Sequence, residues 1–177
     1  MVTCQQNGLY APAMTGTWLS DEDQATWRAY LEMQIRVSAA IERNLAESGL
    51  SAADYALMVP LSEAENGELR ARDLALWIGW DRSRLSHQIR RMEERGMITR
   101  RSCPTDGRGT MLALTPRGRT ALDATAPGHV ATVRAAFIDL LSPGDHQVIR
   151  ELSQRVVVAL APECAAAASV PGAPPQP

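Results

Sequence analysis

The chain has 177 residues, 45% of them hydrophobic, and a formal net charge of −2, which is about one domain's worth of sequence, enough for a core but without room for a second domain of enzyme size. A slightly acidic total excludes a protein that coats nucleic acid indiscriminately, yet the charge is segregated: between Arg70 and Arg108 ten Arg face five acidic residues, a local +5, and the rest of the chain carries −7. The three cysteines, Cys4, Cys103 and Cys164, lack metal or redox spacing, and no apolar run approaches the roughly 18 residues that span a bilayer, so a cytoplasmic protein without membrane contact is expected.

Residues 1–19 mix Gly, Pro, Thr and Gln without a period and read as a loosely held arm. Ser20-Asp21-Glu22-Asp23 then supplies a cap and an acidic first turn, after which Trp27, Leu31, Ile35, Ser38, Ile41 and Leu45 recur every three to four residues. The spacing predicts a long amphipathic helix ending near Gly49, its stripe widened by Tyr30, Met33, Val37 and Ala40. A second helix should open at Ser51-Ala52-Ala53-Asp54 and run through Leu57, Met58 and Leu61 to Asn66-Gly67, kinked or shortened by Pro60, which lacks an amide donor.

From Leu69 the pattern is helical again, with Leu74, Trp77 and Ile78 in phase until Gly79-Trp80 breaks it. A further helix opens at Asp81, whose short acid can accept from first-turn amides, and runs to Gly96. The period then becomes extended through Met97 to Arg101, a turn at Pro104-Thr105-Asp106-Gly107, and Met111 to Leu114, which is a hairpin. Thr115-Pro116 and Ser142-Pro143 each pair an N-cap with proline at the first helical position. The first of the helices they open carries Leu122, Val130, Val133, Phe137 and Leu140 or Leu141, with a kink expected at Pro127-Gly128; the last carries Val148, Ile149, Leu152, Val156 and Leu160. Residues 161–177 are Ala and Pro with little else and should be disordered.

Helix, turn, helix and hairpin in that order make a winged helix-turn-helix, so the fold class is mainly α with a small β-hairpin wing. We expect a single domain over residues 20–160, in which 51–114 form the DNA-binding lobe and 20–49 with 115–160 an all-helical dimerisation lobe. The outer helices carry more apolar face than a winged helix can cover, and a second copy is the simplest partner. A two-fold dimer would set two recognition helices about 34–36 Å apart, matching half-sites one helical turn apart on double-stranded DNA.

At about 100° per residue, Leu85, Ile89 and Met92 share one face of the helix opened by Asp81, while Ser83, His87, Arg90 and Glu94 point the opposite way. The first half of such a helix reaches base edges, which makes Arg82, Ser83, Arg84, Ser86 and His87 the candidate readers; Arg90 and Arg91, a turn later, are placed for phosphates. All eighteen basic residues are Arg, for which a GC-rich genome is the first explanation, although Arg also forks onto guanine and phosphate. No Cys/His metal spacing, phosphate-cradling glycine loop or nucleophile elbow is present, and His87, His129 and His146 are isolated, so neither an enzyme nor a cofactor is expected.

Leu74-Ala75, Arg82 to Ile89, Met92-Glu93-Glu94-Arg95-Gly96-Met97-Ile98-Thr99-Arg100, Asp106-Gly107-Arg108 and Leu114-Thr115-Pro116-Arg117-Gly118 together resemble the MarR family of bacterial transcriptional regulators. Met92 stands where the family usually has Leu, a volume-conserving difference. The resemblance implies a homodimer on a palindromic operator, usually a repressor, with Arg108 at the wing tip entering the minor groove and Asp106 orienting the wing by pairing with Arg100 or Arg101. It also implies release of DNA by a small, commonly aromatic effector bound between the lobes, for which Trp27, Tyr30, Met58 and His129 are the candidate contacts, or by cysteine oxidation. Cys103, with Arg100 and Arg101 close by, is the more exposed of the cysteines on this reading. The alternative is a winged-helix module that binds another protein and no DNA.

Overall fold

The computed structural model describes residues 18–103 and 109–160. The expected N-terminal arm up to residue 17, the wing tip at 104–108 and the Ala/Pro tail from 161 lie outside the described residues. The chain divides into two units, residues 1–35 and 36–177, with the boundary inside the first helix, α1 (Asp21–Glu47).

In the first unit the Ser20 hydroxyl accepts the Asp23 amide at 3.1 Å, as the cap signal predicts. Trp27 and Tyr30 are both about half exposed and stack with ring centroids 5.4 Å apart. In the second unit, α1 ends before Gly49, whose φ of +71° suits glycine.

The core is built by α2 (Ala52–Glu63), α3 (Ala71–Ile78) and α4 (Arg82–Glu94) together with a small sheet. Ser51 caps α2 reciprocally with Asp54: the Ser51 hydroxyl accepts the Asp54 amide at 3.1 Å, and the Asp54 carboxylate accepts the Ser51 amide at 2.8 Å. Pro60 falls in the last turn of α2, which stops at Glu63 rather than continuing to Asn66-Gly67.

The sheet corrects the sequence reading. It has three strands, β1 (Glu68–Arg70), β2 (Ile98–Ser102) and β3 (Thr110–Leu114), in the order β1-β3-β2, all antiparallel. Leu69 and Arg70 therefore belong to a strand against β3, with Leu69 opposite Leu112 and Arg70 opposite Met111, and α3 begins only at Ala71. Three residues are too few to show a period of two, so this strand has no local signature.

Leu57, Met58, Leu61, Leu74, Leu85, Ile89, Met92, Ile98 and Leu112 form one buried cluster between the three helices and the sheet. The helix α5 (Pro116–Ala136) closes over it through Leu122. Its start is tied to the end of α4: the Thr115 hydroxyl donates to the Gly96 carbonyl at 2.6 Å and accepts the Gly118 amide at 3.0 Å, while the Thr115 amide donates to the Met97 carbonyl at 3.0 Å. Gly118 is required there, since a Cβ would stand 2.0 Å from the Met97 carbonyl oxygen.

Pro127 and Gly128 lie inside α5, which runs as one helix to Ala136; Phe137 is its cap and Ile138–Leu140 a single 3-10 turn, so Leu140 and Leu141 are not part of it. The last helix, α6 (Pro143–Leu160), opens on Ser142, whose amide donates to the Asp145 carboxylate at 2.8 Å. None of its residues is buried. No helix among the described residues is long and apolar enough to cross a membrane.

Candidate nucleic-acid interface

Asp81 starts α4 by accepting the Arg84 amide at 2.9 Å, satisfying a donor that the first helical turn leaves free. Leu85, Ile89 and Met92 are buried and hold the helix against the core, as their spacing predicts. The opposite side is solvent-facing: Arg82, Ser83, Arg84, Ser86, His87, Arg90 and Arg91 are all exposed. Only Glu94 interrupts this polar and basic surface with a negative charge, and it lies at the far end. The Arg84 guanidinium sits 4.1 Å above the centre of the Trp80 ring, an attraction that limits its rotamers and sets the direction from which it would approach a groove.

The arginines after α4 separate. Along a strand successive side chains alternate between faces, so Arg100, opposite the buried Leu112, lies on the α4 side of the sheet, and Arg101, opposite Met111, on the other. Arg100 pairs with Glu93 at 3.0 Å. Arg101 forms a forked pair with Glu68 across the central strand, its Nε at 2.8 Å from the carboxylate. This bond holds the Glu68 carboxyl below its ordinary range and raises the Arg101 guanidinium. Each of the two arginines proposed to anchor Asp106 thus has an acid partner on the body of the fold. Asp106 and Arg108 lie outside the described residues.

A groove of about 440 Å³ runs between α3, the first half of α4 and the root of the wing. Arg70, Arg72, Arg82 and Arg100 line it, over a floor that includes Leu85 and Ile89. It brings together two arginines singled out in the sequence, Arg82 and Arg100, with two that were not. Arg72 also touches its neighbour Asp73 at 3.4 Å, a pair too exposed to hold it there.

The family model for MarR matches residues 50–110, the span from the start of α2 to the far side of the wing. The crystal structure of AbsC, a MarR family transcriptional regulator from Streptomyces coelicolor, is 39% identical with a TM-score of 0.79, and the match covers 82% of this chain and 98% of that one. This chain belongs to the MarR family. A second MarR family transcriptional regulator from Streptomyces coelicolor, solved in complex with DNA, is 36% identical with a TM-score of 0.81 over 88% of this chain and 96% of its own. No curated protein matches the chain.

Within this MarR-family fold the effector candidates are dispersed by environment. Met58 is a core residue, fully buried. His129 packs on Tyr55 with ring centroids 4.4 Å apart, and burial lowers its pKa while burial, and then Glu63, raise that of Tyr55. Trp27 and Tyr30 belong to the first unit, stacked on each other. Cys103, expected to be exposed, is buried instead: its amide donates to the Gly109 carbonyl at 2.7 Å, closing the wing root, and its sulfur accepts from the Arg70 guanidinium at 3.1 Å. No group of three or more potential metal ligands occurs among the described residues.

A polar cluster that joins α2 to α4 and its cap escaped the sequence reading. Gln88 is buried on α4 and bonds to Asp54, and Arg95 bonds to the same carboxylate. The partners are 34 and 41 residues apart. Only the cap pattern at Ser51 to Asp54 gave a local signal, and it accounts for Asp54 on α2 without pointing to α4.

Proposed function

We propose that this MarR-family regulator is a homodimeric DNA-binding repressor that reads a palindromic operator with α4 in the major groove and the wing in the adjacent minor groove. The observation that carries the reading is the exposed face of α4: seven polar or basic side chains from Arg82 to Arg91, on a helix whose other face is locked into the core by Leu85, Ile89 and Met92. The DNA complex of the 36% identical regulator supports it. Within α4, Arg82, Ser83, Arg84, Ser86 and His87 reach base edges and Arg90 and Arg91 hold phosphates, while Arg108 enters the minor groove, whose narrow stretches favour Arg.

A second copy is called for by α6, which buries none of its residues yet exposes Val148, Leu152 and Val156 along one stripe. An effector would act near the α2–α5 contact, where Asn44 Oδ1 and His129 Nδ1 are buried without a hydrogen-bond partner among the described residues. Two buried polar atoms near that contact would give a bound polar molecule its hydrogen-bond partners.

Fluorescence anisotropy on the region upstream of the protein's own gene, across a salt series, tests the DNA reading: affinity should fall steeply as salt rises. Absence of binding to that region and to fragments selected from genomic DNA would leave a protein-binding winged helix as the alternative. Sedimentation at micromolar concentration tests the dimer, and a stable monomer would remove it.

A further inference from the structure

The apolar contacts that seat α4 are non-directional, so Leu85, Ile89 and Met92 choose which face of the helix meets the core but set its roll only coarsely. Directional bonds set it more finely, and beside the more exposed Glu93–Arg100 pair the helix and its cap make two from their inner side, both to one residue. Gln88 Nε2 donates to Asp54 Oδ1 at 2.7 Å, and Arg95, the residue that caps α4, donates Nη1 to Asp54 Oδ2 at 2.7 Å. Arg95 Nη2 also donates to the Gly49 carbonyl at 2.8 Å, tying the same point to the turn before α2.

Asp54 is 1% exposed, and both of its oxygens are engaged, since Oδ2 also accepts the Ser51 amide and hydroxyl, each at 2.8 Å. Burial pushes its carboxyl up, but the bonds from Ser51 and Arg95 and the Arg95 charge outweigh this and hold it below the ordinary 3.8. The capping bonds to Ser51 need none of this burial. The bonds at Gln88 and Arg95 are seven residues, about two turns, apart, so they fix both roll and tilt.

The consequence reaches the outer face. Arg84 and His87 lie four and one residues before Gln88. At a helix radius of about 5–6 Å including side chains, a roll of about 20° carries a reading group by about 2 Å, more than a positioned recognition group tolerates. We propose that Asp54 is a positioning residue for DNA recognition: from the N-terminus of α2 it holds Gln88 and Arg95, and so sets the roll of α4 on which operator discrimination depends. This rests on the DNA-binding reading above.

The test compares the full-length protein with Asp54→Asn, nearly isosteric, in which an amide must turn its NH2 toward either the Gln88 or the Arg95 donors. Affinity is measured for a fragment that the wild type selects from genomic DNA and for a random fragment of equal length, at temperatures where circular dichroism shows both proteins folded. The ratio of the two affinities should fall at least tenfold, while random-sequence binding and its salt slope change less than threefold, because the phosphate-facing arginines remain. Equal weakening on both fragments, or an unchanged ratio, overturns the proposal. Gln88→Ala, which leaves Asp54 its Ser51 and Arg95 partners, should lower the ratio in the same direction and serves if Asp54→Asn does not fold. If the wild type selects no DNA, the functional reading fails by itself. The roll is then read from fluorotryptophan resonances, where Asp54→Asn or Gln88→Ala should shift Trp80, which lies under Arg84, and leave Trp18 and Trp27 in place; an unmoved Trp80 overturns the positioning role.

Discussion

Gly118→Ala isolates the joint between α4 and α5. The added Cβ would lie 2.0 Å from the Met97 carbonyl oxygen, 3.0 Å from its carbon and 3.3 Å from its Cα, all of them backbone. Ordinary contact needs more than an ångström of extra room at the oxygen, and no flexible side chain can supply it. The displaced carbonyl is the acceptor for the Thr115 amide, and the Thr115 hydroxyl bonds to the Gly96 carbonyl next to it. Overpacking typically costs about 1–3 kcal/mol, and a clash against backbone that also strains two hydrogen bonds belongs at the top of that range. For a chain of this size, about 3 kcal/mol lowers the melting temperature by about 6–12 °C. Urea and thermal unfolding of Gly118→Ala beside Gly144→Ala is the assay. Gly144 has open space around it and an ordinary helical backbone, so its substitution should be neutral or stabilising by up to about 1 kcal/mol. A Gly118→Ala protein as stable as wild type would refute the packing argument at this joint.

Arg84→Ala should relax sequence preference, whereas Arg91→Ala should weaken all sequences alike and flatten the salt slope by about one; identical behaviour in competition binding would end the division into base and phosphate contacts. Arg108→Ala should weaken operator binding with the dimer intact, and unchanged affinity would remove the wing from the mechanism. Leu152→Asp, on the exposed stripe of α6, should shift sedimentation toward monomer without lowering the helical circular dichroism signal; a dimer as tight as wild type would place the interface elsewhere. The depressed Asp54 carboxyl contributes stability that is full above its unfolded-state pKa and lost as pH falls through its lower folded-state value. Urea midpoints should therefore drop on acidification below about pH 4, and part of that drop should vanish in Asp54→Asn; an identical acid profile would show that Asp54 does not carry it.

Local chemistry alone placed most of this molecule. A period of 3.6 with Leu85, Ile89 and Met92 in phase predicts both the buried face of α4 and, by difference, its exposed polar and basic face, because a helix converts sequence spacing directly into direction. The caps at Ser20, Ser51, Asp81 and Thr115 are equally legible, since each bonds to amides within three residues. Cys103 shows where that logic stops: its exposure depends on the wing root folding back under Arg70, a contact across 33 residues. The same holds for β1, which exists only because β3 lies beside it. Arg100 and Arg101 are neighbours in sequence, but the pleat sends one to Glu93 and the other to Glu68.

The sequence by itself determined the order of the long helices and the hairpin, the two faces of α4 and the apolar stripes of the outer helices, all of which follow from backbone geometry within a few turns. Tertiary structure alone decided what Asp54, Gln88 and Arg95 do. Their bonds join groups that are distant in the chain, and a buried carboxylate is stable only where separate elements deliver its donors together.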